Sequence, residues 1–278
     1  MPEATPSFRI AERWLASTSV PSGSGRRLSS VRNAARVLKA YSRADRELGV
    51  SQLARRLGLG VSTVHRLLVT LTDEGLLERG ESGTYRLGLQ MYELGVTVFS
   101  NLDLHEAALP VLASLREATG ESVQMGVLDQ LDVVYVERLE GPRTVRIFHR
   151  AGHRLPAHTT STGKVLLAHL PAEILQARLV DWQQARLTPH TITDQRVLLD
   201  QLGRVAERGW AQNVEESALG AVSVGAPVRD DTGAVIAAIS VVGPTAGARH
   251  TLPRHRAAVI GAAALISTRI GYRSGQDR

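Results

Sequence analysis

Two separated groups of residues in this chain have types and spacings that could do chemistry. The first is Ser62, Thr63, His65, Arg66 and Thr70, interleaved with Val64, Leu67, Leu68 and Leu71. The apolar members fall three and four residues apart, so a helix over this stretch buries one face and offers the other. Hydroxyls, an imidazole and a guanidinium on one helix face are the groups that bond phosphates and base edges.

The second group is Gly163-Lys164, the histidines His149, His153 and His158, and the pair Glu215-Glu216. A phosphate loop would need Gly at His158 and Ser or Thr at Val165, so Gly163-Lys164 is not one. The histidine spacing matches no zinc pattern and the chain has no cysteine, which favours packing or surface histidines over a metal site. No Gly-x-Ser-x-Gly elbow marks a nucleophile. A loop before a strand accounts for the paired glutamates. Neither catalytic residues nor a cofactor are expected.

Bulk properties bound the rest. The chain has 278 residues, 43% hydrophobic and 22% charged, enough for two ordinary domains with sizeable cores. The absence of cysteine excludes disulfides and thiolate metal sites. No apolar run has the length of a membrane span, and no signal-peptide core follows the charged first residues, so the expected location is the cytoplasm. The net charge is +6. The 12 Lys and Arg against six Asp and Glu between Arg26 and Gly88 supply all of it, and the remainder is neutral. A basic module joined to a neutral one points to a nucleic-acid reader with a second function attached.

Around the first group the pattern predicts three helices and a hairpin. The run from Ser17 to Gly25 has linker composition, and residues 1–25 are expected to be a flexible tail. A helix capped by Ser29 or Ser30 carries Val31, Ala34, Ala35, Leu38 and Tyr41. A second covers 51–57, broken by Gly58-Leu59-Gly60, and a third covers 61–74, ended by Gly75. Alternating strands then flank the turn Gly80-Glu81-Ser82-Gly83. This order describes a winged helix-turn-helix over 26–88, whose third helix enters the major groove of double-stranded DNA. Ser62, Thr63, His65, Arg66 and Thr70 are the expected readers there. Ser51 and Gln52 lie where the second helix crosses the backbone, and Arg79, Ser82, Tyr85 and Arg86 lie on the wing.

A linker helix is expected over 89–108, ending near Leu104, with a second helix starting near Pro110. Beyond it the pattern predicts an α+β domain over 109–272 and a short tail over 273–278. Strands are expected over 122–128, 133–139 and 144–148, then helices over 163–169, 172–180 and 194–208. Strands over 210–214, 221–228 and 235–242 and a helix over 252–270 follow. The last two strands read as a hairpin, so the sheet is antiparallel and flanked by helices.

These residues carry a resemblance. Ser62-Thr63-Val64-His65-Arg66-Leu67-Leu68, Glu74-Gly75-Leu76-Leu77 and Tyr85-Arg86-Leu87-Gly88 resemble the isocitrate lyase regulator (IclR-type) family of bacterial transcription factors. So do the run from Leu155 to Ala168, the run from Leu187 to Asp194, and the blocks Gly209-Trp210-Ala211 and Ala226-Pro227-Val228-Arg229-Asp230. The resemblance spans about Ser30 to Gly271.

It implies a winged helix-turn-helix, a dimerising linker helix and a GAF-like effector domain. It also implies dimers, or dimers of dimers, on partly palindromic operators, with reading helices about 34 Å apart. The implied effector is a small organic acid or aromatic catabolite. By position, the family's ligand-contacting sites fall at Thr160, Ser161, Gly163, Asn213, Ser223, Ser240 and Val242. Asn213 stands where an acidic residue is frequent, Ser223 where Cys is common and Val242 where Ser is frequent, and the last of these makes the pocket somewhat more apolar. Val61 replaces a frequently basic residue. The alternatives are an enzyme with an appended winged helix, and a winged helix that serves protein assembly.

Overall fold

The computed structural model describes residues 28–42, 45–98, 102–142, 152–180 and 182–273. The tail expected over 1–25, the strand expected over 144–148, His149 and residues 274–278 lie outside the described residues. The chain forms two compact units divided between Leu102 and Asp103.

The first unit holds α1 (Ser29–Leu38), α2 (Val50–Leu57), α3 (Val61–Asp73) and the hairpin of β1 (Leu77–Arg79) and β2 (Tyr85–Leu87). Gly58 ends α2 with φ +65°, a left-handed conformation that costs glycine little. Gly60 returns to extended backbone and opens α3. That short turn sets the crossing of the two helices. Val37, Leu53, Val64, Leu68 and Leu77 are fully enclosed and form the core with Leu48, Leu71 and Tyr85. Burying each such side chain contributes roughly 1.5–3 kcal/mol. Leu77 faces Leu87 across the hairpin, and Leu48 bridges to Tyr85 as a further short rung.

Helix α1 is rotated from its expected orientation. Val37 is enclosed, whereas Val31 and Ala35 are exposed. The apolar residues of this helix fill one broad arc from Val37 to Ala35, and packing in the core selects the edge of it that contains Val37.

The linker also differs from expectation. Helix α4 runs over Leu89–Val98, and α5 runs over Leu102–Thr119 straight through Pro110. The described residues of the linker expected over 89–108 fall in α4 and α5, and Pro110 starts neither. An interior proline loses one backbone hydrogen bond and strains the turn before it. Here Ala108, Val111, Leu112 and Leu115 on both sides of Pro110 are buried against the sheet, which holds the helix together.

The second unit is built on β3 (Ser122–Asp129), β4 (Asp132–Leu139), β5 (Arg154–Pro156), β6 (Ala211–Val214), β7 (Ala221–Arg229) and β8 (Val235–Pro244). They form one antiparallel sheet in the order β5-β4-β3-β8-β7-β6. Strand β5 was not expected. In the turn joining β7 to β8, Asp230 Oδ1 accepts from the amides of Thr232 and Ala234.

Side chains alternate across a strand. On one face Ala237, Ile239 and Val241 of β8 pack with α5 and α9 (Ala248–Arg269). The opposite face is covered by α6 (Ser161–Ala168), α7 (Ala172–Leu179) and α8 (Gln195–Arg208). Helix α6 starts two residues before its expected position, because Thr160 Oγ1 caps it by accepting from the Gly163 amide at 2.9 Å. Helix α9 begins one turn earlier than expected. No helix among the described residues is long and apolar enough to cross a membrane.

Candidate nucleic-acid interface and effector cleft

Helix α3 separates its residues as the spacing requires. Val64, Leu68 and Leu71 are buried, while Ser62, His65, Arg66, Val69 and Thr70 are exposed and Thr63 is half-buried. Thr70 Oγ1 donates back to the Arg66 carbonyl at 3.0 Å. Ser51 and Gln52 are exposed at the start of α2, where Gln52 Oε1 accepts from the Gly49 amide. On the wing, Arg79 is exposed and Ser82 shares a hydroxyl contact with Thr84. Arg86 is exposed but makes a two-nitrogen fork to Glu78, at 3.0 and 2.8 Å.

Tyr85 does not belong to this surface. Its ring is 4% exposed and packs in the core beneath the wing. The strand alternation that turns Arg86 outward turns Tyr85 inward.

In the second unit, strand register assembles a polar band on the face that carries α6. Arg138 of β4 stands opposite Gln124 of β3, which stands opposite Ser240 of β8. One rung away, Val242 of β8 faces Ser223 of β7, which faces Asn213 of β6. A bulge in the β3–β4 pairing, between Met125 and Gly126, allows Tyr135 and Arg138 to share this face although they are three residues apart.

The first turn of α6 lies on the same band. Ser161 Oγ meets Ser223 Oγ at 2.7 Å, and Thr162 Oγ1 donates to Ser240 Oγ at 2.9 Å. Gly225 permits that approach, since a Cβ there would press on the Ser161 backbone. Between these elements lies a narrow cleft, partly open to solvent. Gln124, Tyr135, Arg138, Thr160, Asn213 and Ser217 give it polar walls, and Leu155, Ala221, Val222 and Val242 give it apolar ones.

Burial shapes the electrostatics. The Tyr135 phenol is driven above its usual pKa by desolvation, against hydrogen bonds from Thr160, Thr162 and Gln124. Desolvation lowers Arg138, opposed by Glu140 and Tyr135. Lys164 is completely enclosed and its ammonium lies 2.5 and 2.6 Å from the two oxygens of Glu216. Burial lowers Lys164 and raises Glu216, each against the attraction of the other. His158 packs edge-on to Trp182 with Nε2 3.1 Å from the Ala185 carbonyl, and burial lowers its pKa. Among the described residues, no three His, Asp or Glu side chains lie together as a metal set.

The loop 213–217, which forms one wall, is tied down from three directions. Asn213 Oδ1 accepts from the Glu216 amide and its Nδ2 donates to Ser217 Oγ. Thr188 and Thr191 donate to the Glu215 and Glu216 carbonyls. Lys164 holds the Glu216 carboxylate.

Residues 96–268 match the model of the bacterial transcriptional regulator IclR C-terminal domain, and residues 30–81 match the IclR helix-turn-helix domain. The chain belongs to the IclR family of bacterial transcriptional regulators. It is therefore a DNA-binding transcription regulator with a C-terminal effector-binding domain. Among its curated relatives is the HTH-type transcriptional regulator KdgR of Escherichia coli, 34% identical over 88% of this chain and 94% of that protein. XynR of the same organism is 35% identical over 77% of this chain and 85% of its own. A solved IclR homolog from Microbacterium hydrocarbonoxydans, complexed with 4-hydroxybenzoate, aligns with TM-score 0.79 and 30% identity. That alignment covers 87% of this chain and 99% of the homolog.

Of the positions that IclR resemblance implies for the pocket, Thr160, Asn213, Ser223 and Val242 line the cleft. Ser161, Gly163 and Ser240 do not. Ser161 and Ser240 fasten α6 to the sheet, and Gly163 is where α6 passes so close to the Ala157 carbonyl that a Cβ would collide. Sequence reasoning missed Gln124, Tyr135, Arg138 and Ser217. Arg138 is the most informative omission. Its place on the cleft face follows from the bulge, which an alternation count along β4 does not reveal.

Proposed function

We propose that the protein binds operator DNA through α3 and the wing, and that a small organic acid or aromatic catabolite in the sheet-face cleft controls its operator affinity. Ser62, Thr63, His65, Arg66 and Thr70 face the major groove. Ser51, Gln52, Arg79, Ser82 and Arg86 meet the backbone or the minor groove. The observation that carries the DNA reading is the division of α3 into a buried apolar face and an exposed polar face that includes Arg66. The 4-hydroxybenzoate bound by the Microbacterium homolog supports an organic-acid effector, and the mixed polar and apolar lining of the cleft suits one.

The working form is a cytoplasmic dimer, alone or paired as a tetramer. Exposed Leu89 and Tyr92 on α4 give that helix an apolar surface for a second copy. Effector binding shifts the preferred placement of the two reading heads, which couples the cleft to operator affinity.

The test is a gel shift and footprint on the DNA upstream of the protein's own gene and its neighbours, with excess competitor DNA. A protected site with half-repeats one helical turn apart supports the reading. Equal affinity for this DNA and random DNA at physiological salt refutes it. Metabolites of the neighbouring genes' products are then added to identify the effector.

A further inference from the structure

The polar groups expected to hold the ligand are largely committed to the protein itself. Thr160 Oγ1 caps α6, Ser223 Oγ is paired with Ser161, and both ends of the Asn213 amide are engaged within the 213–217 loop. Arg138 differs from all of them. Its side chain is 4% exposed, yet its Nε is buried without a hydrogen-bond partner. Nη1 donates to Gln124 Oε1 at 3.1 Å. The carboxylate of Glu140 stands 3.9 Å from Nε, beyond hydrogen-bond reach, and is 64% exposed and so screened by water.

A buried guanidinium with an unmet donor is costly, and proteins rarely leave one without a reason. Two features put it here. The bulge between Met125 and Gly126 turns Arg138 onto the cleft face, and Gln124 fixes one end of its fork. The guanidinium fork matches a carboxylate, which can take two parallel N–H bonds at once. Apolar Leu155, Ala221, Val222 and Val242 complete the cleft around it.

We propose that Arg138 is the anion anchor of the effector site, and that it selects small carboxylic acids with an apolar body over their neutral amides. This rests on the reading of the cleft as the effector site. The acid group sits on the Nε edge of Arg138, with Gln124 holding the guanidinium in plane. The body of the ligand lies along the apolar wall towards Val242. Ligand charge then neutralises an enclosed guanidinium whose Nε has no hydrogen-bond partner, so binding gains from a cost already present in the free protein.

The experiment uses the full chain in a buffer free of organic acids. Benzoate, 4-hydroxybenzoate and lactate are each tested beside the corresponding amide, by thermal shift and calorimetry. The expected result is that at least one acid raises the unfolding temperature while its amide does not. Arg138→Lys keeps the charge but not the fork, and weakens that acid by about tenfold or more. Arg138→Met abolishes the response.

A ligand-independent measurement accompanies these. Arg138→Met removes an unsatisfied buried charge, so without ligand it unfolds about 2–4 °C higher than the wild type. The proposal is overturned if Arg138→Met unfolds lower or fails to fold, since Arg138 then serves the fold. It is equally overturned if acid and amide bind alike, if the Met variant keeps the acid, or if no acid acts on the wild type. A specific operator footprint alongside any of those results removes the anchor and leaves the regulator standing. Absence of a footprint removes the regulator reading itself, whatever the acids do.

Discussion

Lys164 and Glu216 form an enclosed charged contact in the effector-binding unit, and the pair joins α6 to the loop that walls the cleft. Desolvation acts against both members, so the pair is a poor source of net stability, but removing one partner strands the other. Glu216→Gln is expected to cost about 3–5 kcal/mol in denaturant unfolding. The double replacement Lys164→Met with Glu216→Leu is expected to cost less than the sum of the two singles. Additive losses in that cycle would mean that the two side chains do not act as a pair. At the other end of the chain, Arg66 stands exposed on the polar face of α3. Arg66→Ala should lose discrimination at one or two base pairs of the operator, worth roughly 1–3 kcal/mol for a bidentate contact. A uniform weakening across all sequences in competition assays would instead assign Arg66 to a phosphate.

At the scale of elements, α6 is the piece on which the effector unit turns. Every residue from Ser161 to Leu167 is buried, and its first turn touches the sheet through two hydroxyl pairs. The fit depends on Gly163, where no room for a Cβ remains beside Ala157. Gly163→Ala should therefore destabilise the protein by about 1–3 kcal/mol, although alanine favours helix elsewhere. A neutral result in urea unfolding would show that α6 can shift away from the Ala157 carbonyl. Helix α5 illustrates the opposite balance. Its interior Pro110 argues for a break, and the burial of Ala108, Val111 and Leu112 on either side overrides it.

At the scale of the whole molecule, charge is distributed by unit. The excess of Lys and Arg between Arg26 and Gly88 equals the +6 of the entire chain. Operator affinity should fall linearly on a plot of log affinity against log salt, with a slope that counts the phosphates neutralised. Replacing Arg79 with Ala should reduce that slope by about one if it contacts a phosphate. An unchanged slope, measured by titration at several salt concentrations, would take the wing out of the interface. Mass measurement in solution should give an even multiple of the 30.0 kDa chain, and a monomer at working concentration would exclude the proposed dimer.

Much of this was legible in the residues themselves. Local physics governs the three N-terminal helices, the turn at Gly58-Leu59-Gly60, the left-handed Gly75 and the β7–β8 hairpin, because glycine conformation and apolar spacing act over a few residues. The polar face of α3 was likewise predictable from the spacing of Val64, Leu68 and Leu71. What required the tertiary structure depended on neighbours far away in the chain. Packing chose the Val37 stripe of α1, kept α5 continuous through Pro110 and enclosed Tyr85. A bulge in strand pairing carried Arg138 onto the same face as Gln124, and the register of β3, β8, β7 and β6 aligned the polar band. Register is set by contacts between residues as much as 120 positions apart, as Ser122 of β3 pairs with Val242 of β8. A single bulged residue exchanges the two faces of a strand, so no reading of β4 alone could place its arginine.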